Sequence, residues 1–295
     1  LQSLFTWIFY LFKNGAKVEI SNESFNPYSP GFSIYLRAGK RLGGNDEDKT
    51  RSSLMFETLK IIENLGAWKP KFVIWENVKG VLDKDMIHSF NKYLSKMEEL
   101  GYTNSFEILN SMDFGIPQNR NRVYTISILG TKKFNFDNLI RVETKHISEF
   151  LEVTKEEKYI VSQPSMLKKI PCSDKFIKNN YGCLKIIKDS CLTITTKQVR
   201  CPNAGIIKLE DNRYRYLTER ECWRLMGFED TDYEKALREH KGTQGKLNGT
   251  LYKQAGNSIV VQVLETIFRE LLGVDGFNPY SNGSSFFIRR ITRSI

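Results

Sequence analysis

The feature that most constrains the fold of this chain is an alternation of helical and strand patterns in its first half. Apolar residues recur at helical spacing in residues 50–66 and again in residues 87–100, and a glycine ends each segment. Short apolar runs typical of strands lie at residues 71–75, 105–110 and 123–129. The run KFVIW at 71–75 is the kind that favours a strand buried on both faces of a parallel sheet. The alternation predicts an α/β sheet domain.

The periodic pattern is lost between residues 130 and 213, where lysine and turn residues are frequent. We expect a second, smaller domain there, rich in short strands and loops. A helix is predicted from Thr218, whose hydroxyl can form a capping box with Glu221, three residues further on. After the polar stretch 229–250, a closing helix is predicted at 258–272.

Charge and cysteine content set limits on partners and location. The net charge of +10 fits either a surface that binds phosphates or lysine used for solubility. The five cysteines form no CxxC pair and the three histidines are isolated, so no metal site is predicted and free cytoplasmic thiols are expected. The apolar residues 1–12 are fewer than the roughly 20 that a bilayer requires, so neither a membrane span nor a secretory signal is predicted.

Four motifs occur in a fixed order along the chain. The sequence has ENV at 76–78, QNRNR at 118–122, RYLTERECWRLMGF at 215–228 and QAGNS at 254–258. This series resembles the later motifs of the DNA cytosine-5 methyltransferases, over about residues 29–272.

The resemblance implies a Rossmann-like, S-adenosylmethionine-dependent methyltransferase fold of the α/β class. It implies a fold truncated in its N-terminal half, with a small target-recognition domain inserted. The catalytic domain is then expected at residues 29–130 and 251–272, and the recognition domain at 131–250, with its variable part at 131–212. Residues 1–28 and 273–295 are expected to lie outside the family, because FNPYS occurs both at 25–29 and at 277–281.

The family reaction transfers a methyl group from S-adenosylmethionine to C5 of a cytosine that is flipped out of duplex DNA. By resemblance, Glu76 supplies a hydrogen bond or proton to N3 of the base, and Arg122 binds its O2. Arg120 would orient the loop or pair with a DNA phosphate. The alternatives are that Glu76 caps the following turn and that the two arginines lie on a solvated loop.

The remaining motif residues are expected at the cofactor and at the DNA. Asn257 and Ser258, predicted at the start of the last helix, would contact S-adenosylmethionine or simply cap that helix. Arg215 and Thr218 are expected on the DNA-binding side, where they fix how the small domain meets the large one. The expected partner is duplex DNA, bound by a monomer in a bacterial or phage-type cytoplasmic setting.

The chain departs from the family pattern at the nucleophile. The family has Pro-Cys-Gln where this chain has Pro30 and Gly31, although the flanking residues match. Glycine has no side chain that could attack C6, and none of the five cysteines is a plausible replacement. Nor do residues 1–24 match the glycine-rich turn that holds the cofactor. Three readings follow: a methyltransferase of restriction-modification or phage type, a catalytically dead DNA-binding remnant, or one half of a split enzyme completed by another chain.

Overall fold

The computed structural model describes residues 54–154, 156–170 and 184–272. It also describes two short strands, Trp7–Ile8 (β1) and Phe32–Ser33 (β2), which pair antiparallel. The chain divides into two compact units: unit 1 comprises residues 1–109, 121–139 and 265–295, and unit 2 comprises residues 110–120 and 140–264. The predictions for Pro30, Gly31 and the tail 273–295 lie outside the described residues, and the predicted domain bounds stay a prediction.

Unit 1 contains a three-stranded sheet with the order β3-β6-β4. Its strands are Phe72–Val78 (β3), Tyr102–Asn110 (β4) and Asn121–Leu129 (β6). β3 pairs with β6 antiparallel, from Phe72 opposite Ile128 to Val78 opposite Arg122. The expectation of a parallel neighbour was therefore wrong for this pair. The apolar run reports burial, since the side chains from Phe72 to Trp75 are at most 6% exposed, and burial on both faces does not specify the direction of the neighbouring strand.

Two helices cover this sheet, as the periodicity predicted. They span Leu54–Asn64 (α1) and Ile87–Glu99 (α2). Trp75 of β3 stacks on two rings of α2, with its centroid 5.5 Å from that of Phe90 and 5.0 Å from that of Tyr93. Gly101 follows α2 with a φ of +92°, a conformation that favours glycine and that turns the chain directly into β4.

Unit 2 is built largely from short elements, as expected for residues 130–213. Gln118–Asn119 (β5) pairs parallel with Cys191–Leu192 (β7), and Ile207–Lys208 (β8) pairs antiparallel with Tyr214–Arg215 (β9). A single helical turn spans Pro164–Leu167 (α3). An apolar cluster lies beneath these elements and contains Val161, Met166, Leu184, Ile206 and Tyr216.

Four helices follow β9 among the described residues, spanning Glu219–Arg224 (α4), Asp230–Glu239 (α5), Gly249–Asn257 (α6) and Val261–Leu272 (α7). The capping box of Thr218 and Glu221 is confirmed. α5 was missed because Tyr233 is its one buried residue, which leaves almost no apolar stripe in the sequence. No described helix is long and apolar enough to cross a membrane.

The predicted start of the closing helix was wrong. Asn257 and Ser258 end α6, whereas the last helix begins at Val261. Ser258 adopts an extended conformation with ψ of 161°, and its backbone N–H bonds back to Gln254 and Ala255. These bonds close α6 at its carboxyl end, so this pair does not cap the start of a helix.

The core of unit 1 can be tested at Ile62, whose side chain on α1 is 0% exposed. Ile62→Ala is expected to lower the free energy of unfolding by about 2–5 kcal/mol, because it removes buried methyl groups and leaves a cavity. Urea denaturation followed by tryptophan fluorescence measures this change. The neighbouring Glu63→Ala, at an exposed position, serves as the control and should leave the midpoint nearly unchanged. A loss of equal size in both variants would contradict the described packing.

Candidate functional site

Glu76 and Arg122 form an ion pair within unit 1, as Nε of Arg122 lies 3.0 Å from Oε1 of Glu76. The Arg122 side chain is 15% exposed and the Glu76 side chain is 12% exposed. The sequence predicted that both act on the same small ligand, and the structure brings them together. Reduced exposure strengthens the attraction between the charges relative to a surface pair.

The register of two strands positions this pair. Glu76 lies opposite Tyr124, and Val78 lies opposite Arg122. Side chains two positions apart on a strand share a face, so Glu76 and Arg122 are diagonal neighbours on one face of the sheet. The antiparallel direction brings the start of β6 beside the end of β3, which is how motifs 46 residues apart in sequence meet.

The contact between the two charges leaves hydrogen-bonding capacity unused. Oε1 of Glu76 is buried and has no hydrogen bond among the described residues, because the approach of Arg122 lacks hydrogen-bond geometry. Nη1 of Arg122 donates instead to the carbonyl of Asn121 at 2.8 Å. The carboxylate and the guanidinium can therefore both bind a planar polar ligand without disrupting a hydrogen bond between them.

Arg120 and Gln118 take a different position, inside unit 2. Arg120 is 5% exposed and donates to the carbonyls of Ile194 at 3.0 Å and of Ser258 at 2.9 Å. Gln118 is 0% exposed; its Nε2 donates to the carbonyl of Leu225 at 2.7 Å and its Oε1 accepts from the N–H of Ile194 at 2.9 Å. These bonds fix Arg120 and Gln118 to the backbone of unit 2, while both predicted roles of Arg120, orienting the loop and contacting a DNA phosphate, stay predictions.

The close packing around Gly256 explains why the QAGNS motif has a glycine at this position. A Cβ at this position would lie 2.4 Å from the backbone carbon of Thr195 and 2.4 Å from the backbone nitrogen of Thr196. Real Cβ atoms do not approach backbone so closely, so α6 packs directly on these two residues because position 256 is a glycine. The sequence showed the motif but gave no sign of its partner.

Arg215 forms a buried, bidentate ion pair with Glu221, which is also a member of the capping box. Their side chains are 4% and 0% exposed, and Nη1 and Nη2 of Arg215 lie 2.8 Å and 2.7 Å from the carboxylate oxygens. Glu221 also accepts from the backbone N–H groups of Thr218 and Glu152, both at 2.7 Å. The hydroxyl of Thr218 donates to Glu152 at 2.6 Å. Arg215 and Thr218 thus hold unit 2 together internally, and their predicted contact with DNA stays a prediction.

The two residues predicted at the cofactor differ in what they can offer a ligand. The hydroxyl of Ser258 donates to the carbonyl of Ala255 at 2.7 Å, and its own carbonyl accepts from Arg120. Asn257 is half-buried, and its amide has no hydrogen bond within the described part of the chain. Asn257 is therefore the member of this pair whose side chain fits contact with a polar ligand.

The two described cysteines that are buried in unit 2, Cys191 and Cys222, are poorly suited to replace the missing nucleophile. Burial raises the pKa of the Cys191 thiol to about 12 and raises the pKa of Cys222 well above its usual value. Both thiols are therefore protonated at neutral pH, and a protonated thiol is a poor nucleophile. Cys201 is exposed, and its Sγ donates to Asn203 at 3.1 Å. Cys172 and Cys183 lie outside the described residues, within which no cluster of potential metal ligands occurs.

Comparisons with known proteins agree with the motifs. Residues 31–273 match the family model for C-5 cytosine-specific DNA methylases. The chain is 41% identical to the type II methyltransferase M2.ScrFI of Lactococcus lactis subsp. cremoris, over 79% of this chain and 62% of that protein. It is 29% identical to the orphan methyltransferase M.SPBetaI of Bacillus phage SPbeta, over 75% of this chain and 70% of that protein. The matched region thus spans less than two thirds of the length of M2.ScrFI.

Solved structures support the fold. The S. pombe Dnmt2 methyltransferase aligns with a TM-score of 0.57 and 23% identity, over 76% of this chain and 72% of that one. The methyltransferase EhMeth of Entamoeba histolytica aligns with a TM-score of 0.57 and 20% identity, over 78% and 71%. The predicted Rossmann-like methyltransferase fold is therefore confirmed.

The buried ion pair of unit 2 can be tested at Arg215. Arg215→Met is expected to lower the free energy of unfolding by about 3–5 kcal/mol, because it leaves the Glu221 carboxylate buried without its cation. Thermal unfolding followed by circular dichroism measures this loss. Arg213→Met is the matched control, since Arg213 pairs with Asp211 and Glu157 at the exposed surface and its loss should change Tm little. Equal Tm values for the two variants would contradict the structural role of Arg215.

The thiols of unit 2 should differ in reactivity. At pH 8 iodoacetamide is expected to label Cys201 roughly tenfold or more faster than Cys191 or Cys222, since the last two are buried and protonated. Peptide mass spectrometry after timed labelling gives the three rates separately. In 8 M urea the three rates should converge, which serves as the control. Fast labelling of Cys222 in the folded protein would contradict its burial.

Proposed function

Since this chain belongs to the C-5 cytosine-specific DNA methylase family, we propose that it binds duplex DNA and receives a flipped cytosine at Glu76 and Arg122. The proposed reaction is methylation of that cytosine at C5, in a specific sequence, within a system of restriction-modification or phage type. The observation that carries the proposal is the Glu76–Arg122 pair, in which an acid and a cation lie 3.0 Å apart on one face of the sheet.

The two side chains have complementary tasks toward cytosine. Arg122 donates to the O2 oxygen, where a cation stabilises negative charge. Glu76, carrying a proton taken from solvent water, donates a hydrogen bond to N3. The nucleophile that adds to C6 would have to come from outside the described residues. When it adds, negative charge develops at N3 and O2 of the base, and hydrogen bonds from Glu76 and Arg122 stabilise that charge in place of water. The base must part the ion pair, which costs little hydrogen bonding because Oε1 of Glu76 has no hydrogen bond in the free protein.

The methyl group comes from S-adenosylmethionine, which members of this family use as the donor. The half-buried amide of Asn257 would contact it, while Ser258 holds the end of α6 through bonds already made. We propose that the chain acts as a monomer on DNA. The positive net charge of +10 supports attraction to the phosphate backbone.

A second candidate is a DNA-binding protein without chemistry. It is favoured by Gly31, which stands where the sequence pattern of the family has its cysteine. In that case Glu76 and Arg122 still bind the flipped base, but no bond forms at C6. A third candidate, in which a complementary chain supplies the cysteine, predicts methyl transfer that depends on that chain.

One experiment separates these candidates. Methyl transfer from labelled S-adenosylmethionine and binding to a pool of mixed-sequence duplexes are measured on the same sample. Label in cytosine supports the methyltransferase, and selective binding without label supports the second candidate. Label that arises only after addition of a lysate of the source cells supports the third. Neither label nor selective binding would contradict all three.

Arg122→Ala tests the base-binding site itself. Loss of a hydrogen bond from a charged group costs about 1.5–3 kcal/mol, so the ratio of selective to non-selective binding should fall roughly tenfold or more. Fluorescence anisotropy with a selected duplex and a scrambled duplex measures the ratio. Lys132→Ala removes an exposed cation from the same unit and should leave the ratio unchanged. An unchanged ratio for Arg122→Ala would show that Arg122 does not touch the base.

A further inference from the structure

The side chain of Gln198 is buried with its polar atoms unsatisfied. It is 1% exposed, and neither its Nε2 nor its Oε1 has a hydrogen-bond partner among the described residues. Native proteins satisfy the large majority of buried side-chain polar atoms, so an amide that leaves both its donor and its acceptor unused is unusual. Such a group is well suited to a partner that the free protein does not contain.

Two exposed cations lie on either side of this amide in sequence. Lys197 and Arg200 are both exposed, and neither forms an ion pair with a described carboxylate. Unit 2 otherwise pairs many of its arginines, such as Arg215 with Glu221 and Arg224 with Asp230. The turn at 197–201 therefore presents unpaired positive charge to solvent around Gln198.

The segment that leads into this turn is firmly held. The backbone of Ile194 is bonded on both sides, by Gln118 to its N–H and by Arg120 to its carbonyl. Thr195 and Thr196 pack directly against Gly256. By contrast, the turn itself is closed by its own backbone bonds, from the N–H groups of Arg200 and Cys201 to the carbonyl of Lys197 at 2.9 Å and 2.8 Å. Residues 194–196 are thus firmly held, and the turn that follows them has few hydrogen bonds to the rest of the described part of unit 2.

We propose that the turn at residues 197–201 is a DNA-reading element in which Gln198 is a specificity-determining residue. Its amide reads one base pair through an adjacent donor and acceptor, as offered in the major groove by adenine or by a G·C pair. Lys197 and Arg200 bind phosphates beside that base pair and set the position of the turn. This inference rests on the proposed function, since it requires that the chain bind duplex DNA.

The buried position of Gln198 in the free protein is compatible with this role. Because its amide makes no hydrogen bond, turning the side chain outward loses packing contacts and breaks no hydrogen bond. On DNA the same amide gains a donor and an acceptor that it lacks in the free state. The bound conformation is thus favoured by hydrogen bonding, which a satisfied buried amide would not offer.

The test uses the full chain and a pool of random duplexes. Bound duplexes are recovered and sequenced over several rounds, first with the wild type and then with Gln198→Met, which keeps the length of the side chain and removes the amide. The wild type should select a motif, and Gln198→Met should lose the preference at one position of that motif, by roughly 5- to 150-fold, while the other positions are retained. Its Tm should stay equal or rise, because no hydrogen bond is lost.

The cations are tested separately. Lys197→Ala and Arg200→Ala should weaken binding to all sequences alike and should each reduce the slope of log affinity against log salt by roughly 0.9. Lys188→Ala, at another exposed lysine of unit 2, is the control and should leave the slope unchanged.

Three outcomes would overturn the inference. If Gln198→Met selects the same motif as the wild type, Gln198 reads no base, although the proposed function stands. If Gln198→Met lowers Tm by several degrees and weakens every position equally, the amide is structural and bonded through water. If the wild type selects no motif while it binds duplex DNA, both the reading role and the sequence-specific part of the proposed function fail.

Discussion

The hydrogen bonds made by Gln118 and Arg120 hold unit 2 together. Two side chains of one short motif reach the backbone at Ile194, Leu225 and Ser258, which belong to three separate stretches of the chain. Buried backbone groups at these points would otherwise be unsatisfied, because the segments end regular elements or lie outside them. A motif that looks like a set of ligand-binding residues in sequence is thus, at two of its positions, the structural centre of the unit.

The sequence predicted well those features that depend on local physics. The helices α1 and α2, the strands β3, β4 and β6, and the capping box at Thr218 all arise from periodicity, from glycine or from hydrogen bonds over three residues. The sequence did not predict features that depend on contacts between residues far apart in the chain. The helical hydrogen bonding of α6 stops at Ser258. The carbonyl of Ser258 accepts instead from Arg120, which lies 138 residues away in sequence. The direction of β6 likewise cannot be read from an apolar run.

The same distinction applies to the candidate site. The sequence predicted that Glu76 and Arg122 act together, and the antiparallel register of β3 and β6 places them together. It could not predict that Arg120 and Arg122, two residues apart, would differ so much in surroundings. Arg120 is bonded to two carbonyls at 5% exposure, whereas the carboxylate beside Arg122 has an oxygen without a hydrogen bond. Displacing Arg120 breaks two hydrogen bonds to carbonyls of distant segments, whereas Arg122 donates to the carbonyl of its own neighbour Asn121 and lies beside a carboxylate oxygen that has no hydrogen bond.

The residues that hold unit 2 together differ in their hydrogen bonding from the two that are proposed to contact a base. Arg215, Glu221 and Gln118 bond to buried partners, so removing one of them leaves those partners without a hydrogen bond. Glu76 and Gln198 retain polar atoms that nothing in the described chain satisfies. A flipped cytosine and the edge of a base pair both offer donors and acceptors in a plane, which is what these two side chains lack. On the proposed function, the positive charge of the chain contributes attraction to DNA that does not depend on sequence, and contacts with base edges supply the discrimination.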